Sequence, residues 1–467
     1  MTTTSPQTRT TYDRRLGLFD GTMVVVGGII GAGIFLNPAI VAQRVGSPGL
    51  ILASWALGGA VALLGALCFA ELGARRPEAG GGYVYLRETL GPLPAFLYGW
   101  TLLLVINSGG IAAVGMTFAS YATDLVGLPE ALVKPLAIAA IAVLTVINYV
   151  GIRPGATTQN VFTVLKLVAL GGLILAGLVL AARATGTEAA AGAAGQAPPG
   201  VTGAVVAMGA ALIPVLFAFG GWQNANFVAG EIRDPQRNLP RALLLGVGIV
   251  VATYLLANLA YVITLGAAGL AASTAPASDT MRALLGPAGG TFIATGIVLS
   301  TFGFLNLSIL AAPRVYQAMA DDGLFFRWAA RLHPRYRTPA GAIVFQSVWA
   351  VVLLLSGTYG QLLDWVVFGD WIFFGLAVVT LFVYRARERA AAGKSAVTHG
   401  GSPGDVAPEP DEATFRAFGY PWLPACFVLV AAIVVVSSIL SNPVNAMLGS
   451  LLIGAGVPVF LFWRRQG

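Results

Sequence analysis

GGIIGAGIF at residues 27–35 and FAFGGWQNAN at residues 217–226 are two glycine-rich stretches within long apolar runs. Glycine weakens a helix interior by about 1 kcal/mol relative to alanine, so both stretches predict interrupted helices. Inside a bilayer, a broken helix persists only where its freed backbone groups line a cavity. Paired interruptions, one in each half of a chain, therefore indicate a binding site between the halves. Close helix packing, which also uses the four-residue spacing of Gly27 and Gly31, is the alternative interpretation.

The composition is that of a membrane protein. Hydrophobic residues form 57% of the 467 positions, charged residues form 10%, and the mean hydropathy is +0.80. A soluble domain carries about a quarter charged residues, so this chain has too few to cover a water-facing surface. The net charge is +7, and the basic residues fall mostly in alternate loops. This pattern favours the lipid bilayer as the surroundings and argues against nucleic acid as a partner.

Twelve apolar segments have about the 20 residues that a helix needs to cross a bilayer. They lack the two-residue alternation of a membrane β-barrel, so the predicted fold is an all-α polytopic membrane protein. The segments occupy residues 19–44, 49–73, 92–123, 131–151, 156–182, 203–230, 240–267, 289–318, 340–358, 362–384, 420–440 and 443–463.

The predicted segments divide the chain into four parts. Residues 1–18 form a polar N-terminal arm, 19–385 a ten-helix core, 386–419 a loop, and 420–467 two accessory helices with a short tail. An Ala/Gly/Pro-rich connection at 183–202 is expected on the outer side. Most of the 27 basic residues fall in the alternate loops that include both chain ends. The positive-inside rule therefore predicts a multi-pass protein with both termini in the cytoplasm.

The chemistry of the two interruptions suits a small zwitterion. Free N–H groups at the start of a half-helix, together with the helix dipole, bind a carboxylate. Carbonyl groups freed at a break accept hydrogen bonds from an ammonium group. Neither glycine-rich stretch contains a charged side chain, which favours a substrate whose own charges cancel.

Lys166 is the only ionisable residue deep in the first half of the chain. It lies about 16 Å along its helix from Gly155, near the middle of the membrane. An ionisable residue at this depth is costly and is by default a functional candidate. Two compatible roles stay open: a tether that bridges backbone carbonyls, and a cation that replaces a sodium ion or carries a coupling proton.

Two further charged features have alternative interpretations. Asp370, in FGDWIFFG at 368–375, either faces water in an outer vestibule, caps a local helix break, or serves as a proton site or as the partner of a cationic substrate. The loop GEIRDPQRNLPRA at 230–242 either forms an inner gate with the N-terminal arm or is simply solvated. We expect it to be solvated.

GGIIGAGIF and the longer stretch FAFGGWQNANFVAGEIRDPQRNLPRA at 217–242 resemble the amino acid–polyamine–organocation superfamily. The most similar subgroup is that of the L-type amino acid transporters and their bacterial relatives. Further matching motifs are FAELGARRPEAGGGYVYLRETLG at 69–91, QNVFTVLKLVAL at 159–170 and FGDWIFFGL at 368–376. The resemblance implies a LeuT-like fold of five plus five inverted helices, with helices 1 and 6 broken, that works by alternating access.

The resemblance also implies which backbone groups would bind an amino acid substrate. The N–H groups assigned to its carboxylate belong to Gly31, Ala32 and Gly33. The carbonyl groups assigned to its ammonium belong to Ile29, Phe217 and Gly220.

Side-chain roles are implied in the same way. The Phe217 ring would close over the substrate as an outer gate, and Asn107 and Gln223 would shape the side-chain pocket. Lys166 would link the broken first helix to the eighth helix, where Ser300 is the expected partner.

Several positions depart from the family pattern. Ala32 stands where relatives often have serine, so one hydroxyl contact is missing. Gly220 stands where the cationic transporters of the subgroup carry an acid, which favours neutral cargo. Asp370 stands where eukaryotic relatives have a neutral side chain, which leaves cationic cargo or proton coupling open. The outer loop DLVGLPE at 124–130 lacks the cysteine that joins eukaryotic relatives to a heavy chain, so we expect no disulfide-linked partner.

The sequence argues against two other classes of membrane protein. A membrane enzyme is disfavoured because His333 and His399 both fall in loops and no catalytic or metal-binding motif is present, so no cofactor and no metal are expected. A channel is disfavoured because no ring of charges or repeated filter loop is visible. The predicted function is transport of small neutral L-amino acids in a bacterial inner membrane. Exchange is the favoured mode, with proton symport or a cationic cargo as the alternatives.

Overall fold

The computed structural model describes residues 12–184, 201–356, 359–398, 415–441 and 443–466. Within these ranges the long elements are all helices, and the only β-type pairing is an isolated bridge between Leu16 and Ile232. The predicted outer connection at 183–202 and the acidic part of the predicted loop at 386–419 lie largely outside the described residues.

Seventeen α-helices lie in the described ranges. They are α1 (Leu18–Ile29), α2 (Gly33–Val45), α3 (Pro48–Arg75), α4 (Gly82–Leu90), α5 (Pro92–Thr101), α6 (Ser108–Val126), α7 (Val133–Tyr149), α8 (Ile152–Ala184), α9 (Val201–Phe219), α10 (Asn224–Phe227), α11 (Pro235–Ala272), α12 (Pro276–Ala311), α13 (Pro313–Asp321), α14 (Ala340–Ser356), α15 (Tyr359–Thr398), α16 (Trp422–Ser441) and α17 (Pro443–Gln466). A π-helical segment, Leu102–Asn107, joins α5 to α6.

Each predicted span falls on one or more of these helices. Nine helical stretches in the described ranges are long and apolar enough to cross a bilayer, and the pair α1 and α2, bent by 41°, makes a tenth. The predicted span at 340–358 corresponds to the shorter α14, and the span at 203–230 is divided by a break after α9. The chain is therefore an all-helical, multi-pass membrane protein, and the count of twelve spans stays a prediction.

The broken segments lie at the centre of the helix packing. α11 packs along α3 and α1, α12 packs along α8 and α6, and α9 packs against α2. In the apolar parts of α16 and α17 only 22% of the residues are buried, whereas 67% are buried in the apolar part of the stretch Pro276–Asp321. The last two helices are therefore peripheral, and α12 is part of the core.

The loop at 230–242 is only partly solvated. Arg233 and Arg237 are exposed as expected. Glu231 is instead 1% exposed, and its carboxylate forms an ion pair with Arg314, also 1% exposed, at 3.0 Å. The N–H groups of Arg15 and Leu16 donate to the Glu231 carbonyl at 2.8 and 2.9 Å.

The expectation of a solvated loop is therefore wrong at Glu231. Its partner Arg314 comes from α13, far along the chain, so the local charge pattern contains no sign of the pair. The Arg233 N–H donates to the Leu16 carbonyl at 2.8 Å, and the Tyr12 hydroxyl donates to Gln317 at 3.3 Å. The N-terminal arm thus closes one face of the helix bundle over a buried ion pair.

Candidate functional site

The first break separates α1 from α2 at residues 30–32. The Gly31 N–H donates to the Ile29 carbonyl at 2.9 Å, so this group is already engaged. Among the described residues, no acceptor is bonded to the N–H groups of Ala32 or Gly33. Unpaired N–H groups at a helix start form an anion site. Two of the three N–H groups that the family resemblance assigns to a carboxylate are therefore available in this structure.

The second break follows α9 at Gly220 and Gly221. Gly221 has φ +117°, a conformation that L side chains rarely adopt, and a Cβ there would lie 2.1 Å from the Gly28 carbonyl oxygen. The Gly221 N–H donates to Gln223 Oε1 at 3.0 Å, and Asn224 Nδ2 donates to the Gly221 carbonyl at 2.9 Å. The two breaks therefore meet backbone against backbone.

Lys166 is fully buried on α8 and binds carbonyl groups at the first break. Its Nζ donates to Ile30 O at 2.6 Å and to Gly27 O at 3.2 Å. Ser300, on α12, has its Oγ 3.4 Å from both Ile30 O and Gly31 O. Lys166 and Ser300 thus converge on the Ile30 carbonyl from two helices, and the structure shows no direct hydrogen bond between them.

Tyr254 is a bridging residue that sequence reasoning missed. Its buried hydroxyl lies 3.1 Å from the Ile29 carbonyl and 3.2 Å from the Ala218 carbonyl, so α11 joins both broken helices. The only local signal is a tyrosine in the middle of an apolar span, since a buried tyrosine usually finds a hydrogen-bond partner.

A cavity of about 130 Å³ lies between the two breaks. All of the residues that the sequence predicted for substrate contact line it, namely Ile29, Gly31, Ala32, Gly33, Asn107, Phe217, Gly220 and Gln223. The Phe217 side chain is 39% exposed. Lys166 and Ser300 are absent from the wall of the cavity and lie behind the first break.

Asp370 also lines this cavity, beside Trp371 and Phe374. It is the only ionisable side chain in the described part of the wall, and no described residue forms a hydrogen bond or an ion pair with it. The geometry therefore favours a role for Asp370 within the cavity, as a proton site or as the partner of a cationic substrate, over a position in an outer vestibule.

Asn107 holds the wall of the cavity at the end of the π-helical segment. Its Nδ2 donates to the Ser308 carbonyl and to Gln346 Oε1, both at 3.0 Å. π-Helical turns inside α-helices are frequent at functional sites. The sequence did not indicate this segment, nor the apolar lining residues Leu102, Ile106, Val114, Phe304, Trp371 and Phe374.

Gly221→Ala is expected to destabilise the protein strongly. The added Cβ meets the Gly28 carbonyl, and the residue must keep a positive φ, which alone costs about 1–3 kcal/mol. The matched control is Gly248→Ala in α11, where a Cβ meets no atom within 4 Å. Thermal unfolding of the detergent-purified variants should show a lower midpoint for Gly221→Ala only. Equal midpoints would mean that the breaks do not depend on this contact.

The chain is similar in sequence to known proteins over most of its length. A family model described as amino acid permease matches residues 16–463. The human b(0,+)-type amino acid transporter 1 is 35% identical over 383 residues, which cover 80% of this chain and 77% of that protein. The serine/threonine exchanger SteT of Bacillus subtilis (strain 168) is 31% identical over 457 residues, 97% of each chain.

The human large neutral amino acids transporter small subunit 2 is 30% identical over 462 residues, covering 97% of this chain and 81% of that protein. The match to the family model extends from the N-terminal arm to the end of the last helix. The resemblance seen in the glycine-rich motifs is thus confirmed along the whole membrane domain, and the chain belongs to the amino acid permease family of membrane transporters.

Proposed function

We propose that this protein exchanges small neutral L-amino acids across the membrane by alternating access. The observation that carries the proposal is the cavity between the two helix breaks. It presents the free N–H groups of Ala32 and Gly33, and it presents the carbonyl of Gly220, to which no described donor is bonded. These are the groups that a carboxylate and an ammonium require.

The free backbone groups would recognise the α-carboxylate and α-ammonium groups, which all amino acids share. The N–H groups at the start of α2 lie at the positive end of a helix dipole, which favours an anion by about 0.3–1 kcal/mol, and up to about 2 kcal/mol when partly buried. Hydrogen bonds to charged groups contribute about 1.5–3 kcal/mol each. The side-chain end of the cavity is largely apolar, which suits a small neutral side chain.

The fold that we propose for this function has twelve spans in a LeuT-like arrangement, with α1 and α2 forming broken helix 1 and α9 and α10 forming broken helix 6. Residues 19–385 form the transport core. The basic loops support cytoplasmic termini, and the full-length similarity to a Bacillus exchanger supports a bacterial cell membrane as the location. The assignment to an inner membrane stays a prediction. On this assignment, the Glu231–Arg314 pair closes the cytoplasmic side.

Two further expectations belong to the proposal. We expect no disulfide-linked heavy chain, because the loop at 124–130 carries no cysteine. We favour exchange over symport because Lys166 Nζ already donates to the Ile30 and Gly27 carbonyls, in a place where a co-transported cation would otherwise bind. The relative SteT is itself named an exchanger.

Proteoliposomes test the transport mode directly. Radiolabelled L-alanine should enter vesicles preloaded with unlabelled L-alanine and should not accumulate in vesicles loaded with buffer, whether or not an inward proton gradient is present. Accumulation in empty vesicles driven by the proton gradient would replace exchange with symport. No uptake of alanine, serine or leucine under any of these conditions would contradict the proposed function itself.

Lys166→Ala is expected to lower the exchange rate by about tenfold or more and to reduce thermal stability. The Gly27 carbonyl loses its donor inside the bilayer and the Ile30 carbonyl keeps only the 3.4 Å contact with Ser300, and an unsatisfied buried group costs about 1–3 kcal/mol. Ser300→Ala serves as the control and should have a smaller effect, because its contacts are 3.4 Å long. Full uptake with unchanged pH dependence in Lys166→Ala would remove both the tether and the coupling role.

A cationic amino acid is the second candidate cargo, and Asp370 is the observation that favours it. An unpartnered carboxylate in a small, largely apolar cavity attracts a positive charge more strongly than it would in water. A side-chain ammonium placed beside Asp370 would supply the partner that the described protein does not.

The ratio of L-lysine exchange to L-alanine exchange distinguishes the two cargo classes. If the cationic candidate is right, Asp370→Asn lowers this ratio by about tenfold or more, since a lost charge-assisted hydrogen bond of about 1.5–3 kcal/mol has that effect. The same substitution at the exposed Asp124, outside the cavity, should leave the ratio unchanged. If the unsubstituted protein exchanges alanine but not lysine, the cationic candidate fails and the neutral one stands.

A further inference from the structure

An open cleft of about 670 Å³ lies on the face of the protein that carries the N-terminal arm. It is bounded by the arm, by the start of α11 and by Phe415, which lies in the segment 415–421 before α16. This segment is firmly placed, because the Ala417 N–H donates to the Glu71 carboxylate at 2.7 Å. The cleft is therefore a formed feature of this face and is separate from the cavity between the helix breaks.

Three guanidinium groups line the cleft and have no partner among the described residues. Arg14, Arg237 and Arg241 are all exposed, and none forms an ion pair with a described residue. One carboxylate, Asp234, also lines the cleft, so positive charge is in excess. Other arginines of the described chain are paired with glutamates, namely Arg75, Arg76, Arg314 and Arg385.

The position of Arg237 makes this excess of positive charge unfavourable. Arg237 lies in the first turn of α11, which begins at Pro235 and is preceded by the N-cap residue Asp234. The N-terminal end of a helix is positive, so the single carboxylate of Asp234 faces both this end and the three guanidinium groups and cannot offset all of them. A bound anion would relieve the repulsion among the arginines and the repulsion between Arg237 and the helix dipole.

The cleft lies at the depth of the lipid headgroups. Leu244 lines it, and one residue further along the same helix Leu245 is 52% exposed on the apolar surface of a membrane-spanning helix. Close to Phe415 in the chain, Phe418 is 72% exposed and Trp422 is 79% exposed. Exposed aromatic residues at the end of a spanning helix mark the interface between hydrocarbon and water. An anion held here is within reach of the bilayer surface.

We propose that this cleft binds the headgroup phosphate of an anionic phospholipid from the surrounding leaflet. The planar guanidinium groups of Arg237 and Arg241 match the geometry of phosphate oxygens and bind them in a bidentate manner. Leu244 and Phe415 provide apolar contacts where the glycerol and the first part of the acyl chains lie. Arg14 approaches the same phosphate from the N-terminal arm, so the bound lipid also contacts the segment that closes this face.

Native mass spectrometry of the full-length protein in detergent tests the proposal. The protein is incubated with phosphatidylglycerol or, in parallel, with phosphatidylcholine of the same acyl chains. Phosphatidylglycerol should bind preferentially, and Arg237→Gln/Arg241→Gln should weaken its binding by about thirtyfold, from the typical contribution of a basic residue at an anionic membrane surface. The matched control is Arg327→Gln/Arg331→Gln, which removes two exposed arginines outside the cleft and should leave binding unchanged.

Two outcomes would overturn the proposal. One is equal retention of phosphatidylglycerol by the unsubstituted protein and by Arg237→Gln/Arg241→Gln. The other is displacement of the lipid by inorganic phosphate at equal concentration, which would make free phosphate the ligand. If the double variant fails to fold, Arg14→Gln, on the arm outside any helix, carries the same test with a smaller expected loss of about fivefold.

Discussion

The direct contact between the backbones of the two broken helices is the constraint on which the rest of the structure depends. Gly28 and Gly221 approach so closely that neither position has room for a side chain. Such contact requires two interrupted helices side by side, and each interruption leaves N–H and carbonyl groups without helical partners. In the interior of a bilayer no water is available for those groups, so the protein must supply donors and acceptors from elsewhere.

Three neighbouring helices supply these partners. α8 contributes Lys166, α11 contributes Tyr254 and α12 contributes Ser300, and each side chain reaches a carbonyl at the first break. The groups that remain, the N–H groups of Ala32 and Gly33 and the carbonyl of Gly220, face the cavity. The backbone groups of the breaks thus fall into two sets: one stabilises the fold, and the other is left for a substrate.

At the face that carries the N-terminal arm, charged side chains are buried, and each of them must be paired. Glu231 and Arg314 are both inaccessible, and removing one member of such a pair leaves an uncompensated buried charge. The arm is attached by backbone hydrogen bonds to the loop that follows the second break. A movement of the second break would therefore be passed through this loop directly to the N-terminal arm that closes this face.

The amino-acid sequence by itself determined the membrane environment and the two helix breaks, because these depend on local composition and on glycine at particular positions. The family resemblance, rather than composition, supplied the residues expected around the cavity. Only the tertiary structure decided which backbone groups are free. It placed Tyr254 between the breaks, joined Lys166 and Ser300 through the Ile30 carbonyl, and paired Glu231 with Arg314. The reason is physical: whether these donors and charges are satisfied depends on partners from distant helices, and the local sequence does not show which groups the packing brings within hydrogen-bonding distance.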